Sequence, residues 1–322
     1  MFLCPNPKEG LPSVLVIVGP TASGKSSLAV QMAKKYNGEI ISADSRAIYK
    51  YVDIASAKPT EKERSGIKHW GIDIVGPEDF NKYKSINTIQ TTPFTVADFK
   101  KYAQEKIIEI QNKGVLPIVV GGTGLYIDAL IYDYKFDNLT KLNSKKVNEK
   151  ELAKRQEFGQ MTIDELQNYC NENNIIVNGN FNNKRHLARS IEKSVHTNRL
   201  TNDRGQIQSQ YLVVGITTKK EELDIKIAQR IDAMLRADLE KEYEKIVKLY
   251  PKNSEVLKSN AYIVIEKYQN GEIEKIDLKN ELIKLDKKLV KKQKTWFKRN
   301  EQIIWANLDQ MPSIISGVFV QD

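Results

Sequence analysis

Aliphatic runs that alternate with helical patterns predict an α/β fold for this chain. Residues 14–18, 38–42, 116–120 and 211–216 have the length and β-branched content of strands buried on both faces of a parallel sheet. Residues 19–26 read G-P-T-A-S-G-K-S and stand between the first strand and the first helix. Strand, glycine-rich loop and helix in this order are the context of a phosphate-binding loop. The predicted class is therefore a P-loop NTPase-like parallel sheet flanked by helices, with an α-helical insertion domain and a helical C-terminal part.

The loop at residues 19–26 has the chemistry of a phosphate site. Gly19 and Gly24 let the backbone curl so that successive N–H groups point at an anion, and the following helix adds its dipole. Lys25 supplies a positive charge, and the Ser26 hydroxyl is a suitable ligand for Mg²⁺. A phosphorylated substrate is the ligand that this loop predicts.

Two further strand ends are expected beside this loop. The strand at 38–42 leads to Asp44, and the strand at 116–120 leads to the glycine-rich turn G-G-T-G at 121–124. Ligands of open α/β sheets lie beyond the carboxyl ends of the strands, so both segments should face the phosphates. A carboxylate there is costly unless it holds Mg²⁺ or takes a proton. The alternatives are that Asp44 caps the turn at 45–49 and that 121–124 is only a tight turn.

The composition indicates an ordinary globular protein with a moderate basic excess. The 322 residues are 40% hydrophobic and 28% charged, and 50 Lys and Arg against 41 Asp and Glu give a net charge of +9. This excess favours a polyanionic partner. Cys4 and Cys170 are too few for a disulfide framework or a zinc finger, and no run of about 18 apolar residues predicts a membrane span. The N-terminus lacks the pattern of a signal peptide, so we expect a cytoplasmic protein without zinc.

Polar segments and further helices follow between the strands of the first half. The pattern predicts a short helix within 50–68, a third strand at 69–75, a surface loop at 76–93 and a helix at 96–113 that Gly114 ends. His69 could contact a substrate, but a lone histidine is more typical of a structural hydrogen bond.

The composition changes near residue 137. Asn, Lys and Gln dominate from there to residue 210, and helices are predicted at 162–170, with a capping box of Thr162 and Glu165, and at 185–192. We therefore divide the chain into a core domain at 1–136, an α-helical insertion domain at 137–210, and a part at 211–322 that completes the core and adds basic helices.

The C-terminal part is predicted to be mainly helical. After the strand at 211–216, the pattern predicts helices at 219–249, 255–268 and 278–299 and an edge strand at 303–305. The last helix carries a lysine stripe on one face: Lys284, Lys287, Lys291, Lys294 and Lys298. A charge run is usually a solvated face, but a nearly single-signed stripe favours contact with a nucleic acid backbone, which positions the nucleic acid without reading its bases.

Several segments, in order along the chain, together resemble one family, the tRNA dimethylallyltransferases. They are residues 19–26, residues 41–45 with Tyr49, Asp53 with residues 57–59, and residues 94–99, 121–126, 230–235 and 292–299. The phosphate loop alone would be a weak signal, whereas ordered blocks that span nearly the whole chain are specific.

The resemblance implies transfer of a dimethylallyl group from dimethylallyl diphosphate to N6 of adenosine 37, beside the tRNA anticodon, with Mg²⁺ as cofactor. Asp44 would be the general base, and Lys25, Ser26 with Mg²⁺, Thr123 and Arg189 would stabilise the leaving diphosphate. The diphosphate would be held by the loop residues Gly19, Thr21, Ala22, Ser23, Gly24, Lys25 and Ser26.

The implied partner is the anticodon stem-loop of tRNA, whose unpaired bases can be splayed and read, and we expect a monomeric enzyme. The expected tRNA contacts are Asp44, Ser45, Arg46, Ala47, Thr123, Lys145, Arg185, His186, Arg189 and, from the lysine stripe, Lys287, Lys291 and Lys294. His186 stands where the family usually has an arginine.

Three alternatives use the same loop. A small-molecule or nucleotide kinase would explain residues 14–26 and Asp44, but not the insertion or the basic last helix. A second alternative is an isopentenyltransferase that acts on free adenine nucleotides. The predicted insertion and the C-terminal helices argue against it, because such an enzyme does not bind tRNA. A nucleotide-dependent RNA-binding switch would predict ATP or GTP turnover that RNA stimulates.

Overall fold

The computed structural model of the chain describes residues 12–83, 93–136, 157–158, 160–177, 180–195 and 206–319. Within these residues the chain forms two compact units. The core unit contains residues 12–77, 94–134 and 206–319, and the helical unit contains residues 78–83, 93, 135–136 and the described parts of 157–195. Lys145 lies outside the described residues.

A parallel sheet of six strands organises the core unit. The strands are β1 (Val14–Val18), β2 (Gly38–Ser42), β3 (His69–Trp70), β4 (Leu116–Gly121), β5 (Tyr211–Thr217) and β6 (Ile304–Asn307). Their order across the sheet is β3-β2-β4-β1-β5-β6, and every neighbouring pair is parallel. The predicted α/β architecture is confirmed, and all strands deliver their carboxyl ends to one edge of the sheet.

The helices of the core unit are α1 (Lys25–Lys35), α2 (Glu61–Arg64), α4 (Val96–Gln111), α5 (Gly124–Ile131), α8 (Lys220–Arg236), α9 (Leu239–Leu249), α10 (Asn260–Gln269), α11 (Leu278–Phe297) and α12 (Met311–Phe319), with a 3₁₀ turn at Glu255–Lys258. Helix α3 (Pro77–Tyr83) starts at the boundary between the units, and α6 (Ile163–Glu172) and α7 (Lys184–Val195) belong to the helical unit. No helix in the described ranges is long and apolar enough to cross a membrane.

Two apolar clusters cover the two faces of the sheet because successive strand side chains point to opposite faces. Val16 of β1 packs in one cluster with Phe99 of α4 and residues of α5. Its neighbour Ile17 packs in the other cluster with Leu28 of α1 and Ile315 of α12. Both faces of β1 are therefore dry, which explains its continuous aliphatic run.

The helical unit has a small apolar cluster of its own. Leu166 and Cys170 of α6 pack against Leu187 and Ile191 of α7. The predicted capping box at the start of α6 is confirmed, since the Glu165 N–H donates to Thr162 Oγ1 at 3.2 Å and the Thr162 N–H donates to Glu165 Oε2 at 2.6 Å.

Two predictions for residues 69–93 were wrong. The third strand ends at Trp70, because Gly71 (φ 76°) and Asp73 (φ 55°) turn the chain, and Val75 forms only a single bridge to Tyr49. Within the predicted loop at 76–93, residues 77–83 form α3 instead, in which proline takes the first position and acidic residues occupy the first turn, and residues 84–92 lie outside the described residues.

The predicted extents of the C-terminal helices also need correction. The single helix expected at 219–249 is two helices, α8 and α9, because Asp238 adopts a left-handed conformation (φ 68°) between them. The helix expected at 255–268 begins as the 3₁₀ turn and continues as α10 after Ser259, and α12 was not predicted.

Glu242 of α9 joins the C-terminal helices to the segment after β2. Its carboxylate accepts the backbone N–H groups of Asp53 (2.8 Å), Ile54 (2.6 Å) and Ala55 (2.9 Å), and the Tyr262 hydroxyl donates to it at 2.8 Å. Glu242 is 9% exposed. Burial is compatible with the charge because several donors replace the lost water.

We predict that Glu242→Ala lowers the free energy of unfolding by about 2 to 3 kcal/mol, because it leaves buried donors without their acceptor. Glu242→Gln should cost less, since an amide oxygen still accepts. Urea titration followed by circular dichroism measures both, with the exposed Glu244→Ala on the same helix as control. Equal effects at residues 242 and 244 would contradict this role.

Candidate active site

Three strand ends meet where a ligand of a parallel sheet is expected. The phosphate loop follows β1, Ala43 and Asp44 follow β2, and Thr123 follows β4. The Thr123 N–H donates to the Ala43 carbonyl at 3.3 Å, and Thr123 Oγ1 accepts from the Ser45 N–H at 3.0 Å. A Cβ at Gly121 would collide with the Ala43 carbonyl, so this close approach of the two segments requires glycine.

A cavity of about 250 Å³ lies at this edge of the core unit. Its lining comes from the phosphate loop and the start of α1, from Asp44 and Ala47, from residues 56–59 and 121–122, and from two residues of the C-terminal helices, Arg230 and Gln293. The buried Ser23 hydroxyl in the loop has no hydrogen-bond partner within the described part of the chain. The cavity thus combines backbone donors, cations and one carboxylate, and Ser23 lies in the same loop without belonging to the cavity lining.

Lys25 is poised for an anion. Its Nζ donates to the Pro20 carbonyl at 2.6 Å. Burial lowers the pKa of Lys25 from 10.5 to about 8, an effect that the Asp44 charge opposes and the Arg230 charge adds to. A bound anion would favour the charged form of the amine and offset this desolvation.

Asp44 caps the turn that follows it and also lines the cavity, while its role as a base or metal ligand stays a prediction. Its Oδ1 accepts the backbone N–H groups of Arg46 at 2.8 Å and Ala47 at 3.3 Å, so the carboxylate does cap the following turn. The same side chain lines the cavity, and no described residue donates to Oδ2. The capping bonds fix the orientation of a carboxylate that keeps one oxygen for the ligand.

Ser45 and Arg46 are engaged within the chain. Thr123 Oγ1 donates to Ser45 Oγ at 3.3 Å. The Arg46 guanidinium donates to the Glu255 carbonyl and, at 3.3 Å, to the Lys258 carbonyl. The two Arg46 bonds tie the turn after β2 to the 3₁₀ turn at Glu255–Lys258.

Arg230 and Gln293 belong to the cavity but were not predicted as site residues. Gln293 of α11 accepts the Thr21 N–H at 2.8 Å and donates to the Gly122 carbonyl at 3.1 Å, so one amide bridges the two glycine-rich loops. Arg230 of α8 donates to Asp286 at 2.9 Å. A signal was available, since both residues lie in segments that resemble family blocks, residues 230–235 and 292–299.

The His69 ring makes a structural hydrogen bond, as expected for a lone histidine. Its Nδ1 donates to the Ile67 carbonyl at 2.8 Å, and burial lowers its pKa below the ordinary value of 6.5, which favours the neutral ring at pH 7. The residue also belongs to the cavity lining.

Other predicted tRNA contacts belong to α7 of the helical unit and to α11 of the core unit. Arg185 and Arg189 lie in α7 of the helical unit, and in the same unit His186 Nδ1 accepts the Asn180 N–H at 2.7 Å. On α11, Lys287 pairs with Asp224 at 2.9 Å, whereas Lys291 is exposed and Lys294 is partly exposed. Lys287 therefore has an intramolecular partner that the spacing did not predict.

Two family models cover most of the chain. One, described as IPP transferase, matches residues 47–300, and one described as isopentenyl transferase matches residues 12–73. The chain is 38% identical over 311 residues to the tRNA dimethylallyltransferase of Acetivibrio thermocellus, with 94% of this chain and 93% of the relative covered. It is 36% identical over 309 residues to the enzyme of the same name from Staphylococcus saprophyticus, with 93% of each covered.

Solved structures of similar proteins share the fold. The tRNA isopentenylpyrophosphate transferase of Bacillus halodurans has a TM-score of 0.67 at 26% identity, over 95% of this chain and 96% of that one. The corresponding enzyme of Staphylococcus epidermidis has a TM-score of 0.65 at 31% identity, over 95% and 99%. A eukaryotic dimethylallyltransferase acting on tRNA has a TM-score of 0.74 at 23% identity, over 96% and 79%. The predicted P-loop NTPase-like class is confirmed.

We predict that the affinity for inorganic diphosphate falls about tenfold between pH 7 and pH 9. The pKa of Lys25 is about 8 in the free protein, and a bound anion would raise it. The affinity is therefore highest well below pH 8 and falls above pH 8, where the amine of the free protein has lost its proton. Calorimetry in metal-free buffer measures this. Lys25→Arg keeps its charge and reports the titration of the ligand alone, so identical slopes for both proteins would refute the assignment.

Proposed function

The chain belongs to the tRNA dimethylallyltransferase family, and from that premise we propose that it transfers a dimethylallyl group from dimethylallyl diphosphate to N6 of adenosine 37 in tRNA. It is a prenyltransferase that acts on tRNA, and a kinase activity is not favoured. The observation that supports these two substrates is the cavity, which is lined by the phosphate loop, the capped carboxylate of Asp44 and Arg230.

The proposed step is a substitution at the allylic carbon. The N6 lone pair attacks C1 of the dimethylallyl group, the C1–O bond breaks, and its electrons leave with the diphosphate. Asp44 takes the proton from N6. An exocyclic amine of adenine is a weak nucleophile, so a base held within hydrogen-bond reach supports the attack. The two backbone bonds to Oδ1 supply that orientation.

The diphosphate is held by the loop N–H groups, with Lys25 and Arg230 as counter-charges. Thr123, whose hydroxyl joins β4 to the turn after β2, helps to stabilise the charge that grows on the leaving group. Arg189 is assigned the same role from the resemblance. Cations in a small, desolvated volume interact more strongly with a phosphate than they would in water.

Mg²⁺ suits this cavity. The ion prefers hard oxygen ligands, keeps several waters, and takes few protein ligands when substrate phosphates are present. Ser26, which lines the cavity, offers such a hydroxyl, and no described cluster of three or more His, Cys, Asp or Glu side chains forms a dedicated metal cage. When bound, the ion would neutralise charge on the diphosphate.

We assign the tRNA contacts to two surfaces. Arg185, His186 and Arg189 of the helical unit would contact the anticodon stem-loop, as would Lys145, which lies outside the described residues. The insertion domain at 137–210 stays a prediction. On α11, Lys291 and Lys294 of the lysine stripe, which have no ion-pair partner among the described residues, would contact the phosphate backbone. Lys287 would contribute less, because Asp224 pairs with it. A monomer in the cytoplasm, where tRNA is modified, remains the expected state.

The test is transfer of radiolabel from dimethylallyl diphosphate, with Mg²⁺, into unmodified tRNA that carries adenosine at positions 36 to 38. The label should enter the tRNA without ATP. A substrate with guanosine at position 37 is the matched control and should remain unlabelled. Label in both substrates, or in neither while an authentic enzyme works, would overturn the proposed acceptor.

We predict that Asp44→Asn lowers kcat at least about 100-fold, because the amide keeps the two capping bonds but cannot take the proton. Affinity for tRNA should stay within about twofold, since no charge-assisted phosphate contact is lost. Single-turnover transfer and filter binding measure the two quantities. A kcat close to wild type would remove Asp44 from the role of base.

We predict that Lys291→Ala with Lys294→Ala weakens tRNA binding and lowers the slope of log K against log salt by about 1.5, because two phosphate contacts are lost. Lys287→Ala should have a smaller effect, since Asp224 already pairs with it. The control double variant Lys101→Ala with Lys226→Ala removes two lysines that pair with Glu105 and Glu222. Equal slopes for the two double variants would make the stripe a solvated face.

A further inference from the structure

One ion pair between α8 and α11 differs from its neighbours in burial. Arg230 Nη1 donates to Asp286 Oδ2 at 2.9 Å, and the two side chains are 20% and 10% exposed. Two more ion pairs join the same helices, Lys279 to Asp232 at 2.7 Å and Lys287 to Asp224 at 2.9 Å, and each of these four side chains is 34% to 45% exposed. The buried pair alone includes a residue of the cavity lining.

The Arg230 guanidinium is only partly used by the protein. Its charge contributes to the lowered pKa of Lys25, so the two cations act on the same space. Its Nε is buried and has no hydrogen-bond partner anywhere in the described ranges. A guanidinium has five N–H donors in one plane, and an anion in the cavity is the natural acceptor for those that Asp286 does not hold.

Asp286 is an unusual residue for its helix. It is 7% exposed, and it is the one acid in a stretch, residues 282–299, with eight lysines and arginines. Burial raises its pKa, while the Arg230 charge and the Asn260 side chain oppose that rise. A carboxylate is retained in such a place only when it has a partner, because desolvation otherwise costs several kcal/mol.

We propose that Asp286 is a positioning residue, which holds the Arg230 guanidinium against the donor cavity so that its remaining N–H groups face the diphosphate. The inference rests on the proposed function only for the identity of the anion. Gln293 lies two helical turns after Asp286 on α11 and bridges Thr21 to Gly122. Helix α11 thus sets both the position of the cation and the relation between the two glycine-rich loops.

Neutralising Asp286 separates this role from a plain electrostatic one. If Asp286 were only a nearby negative charge, its removal would strengthen diphosphate binding, because a repulsion would be lost. If it positions Arg230, its removal releases the guanidinium and weakens binding. The two readings predict changes of opposite sign.

The experiment measures inorganic diphosphate binding by calorimetry, with Mg²⁺, for wild type, Asp286→Asn, Arg230→Gln and the double variant. We expect about tenfold weaker binding for Asp286→Asn, the size typical of coupling between contacting groups. In the Arg230→Gln background the same substitution should change affinity less than about twofold. Asp232→Asn breaks an exposed α8–α11 pair and should bind diphosphate like wild type.

Transfer kinetics complete the test. Asp286→Asn should raise KM for dimethylallyl diphosphate and lower kcat, with tRNA affinity unchanged. Unchanged or tighter diphosphate binding, or an equal effect in the Arg230→Gln background, would overturn the proposal. Should Asp286→Asn unfold, Asp286→Glu keeps the charge and shifts the guanidinium, so positioning predicts weaker binding and wild-type affinity would refute it. Absence of transfer by wild type that still binds diphosphate would contradict the proposed function and leave this inference standing.

Discussion

The parallel pairing of β4 with both β1 and β2 is the constraint on which the site depends. Parallel strands end at the same edge, so the register Val18 to Gly121 and Ser42 to Val120 brings three loops together. Gly121 allows this approach because its missing Cβ leaves room for the Ala43 carbonyl. The phosphate loop and the carboxylate of Asp44 therefore line one cavity before any ligand is present, and Thr123 binds Ser45 in the turn after β2.

The side chains that line the cavity carry a net positive charge, which favours anions. Three cations line the cavity, Lys25, Lys58 and Arg230, against the single carboxylate of Asp44. Lys58 already pairs with Asp53 and Asp73, and Arg230 pairs with Asp286. Desolvation makes the cationic form of Lys25 less stable in the free protein, and its pKa falls to about 8. A bound diphosphate would reverse that effect, so part of its binding free energy would come from removing this desolvation cost.

The C-terminal helices complete the N-terminal site through buried polar contacts. Glu242 receives three backbone N–H groups from residues 53–55, which precede the cavity residues 56–59. Gln293 bridges Thr21 and Gly122, and Arg46 donates to carbonyls of the 3₁₀ turn. Each contact spans more than 170 positions of sequence, which makes the site a property of the whole core unit rather than of the phosphate loop.

The amino-acid sequence by itself determined the features whose causes are local. Aliphatic runs specify β1, β2, β4 and β5, glycine spacing specifies the phosphate loop, Thr162 with Glu165 specifies the start of α6, and ordered blocks identify the family. Only the tertiary structure decided which distant side chains meet. How the helices pack determines three contacts: the ion pair of Arg230 with Asp286, the bridge that Gln293 forms between two loops, and the ion pair of Lys287 with Asp224. Periodicity indicates the buried face of a helix but not which residue on another helix will face it.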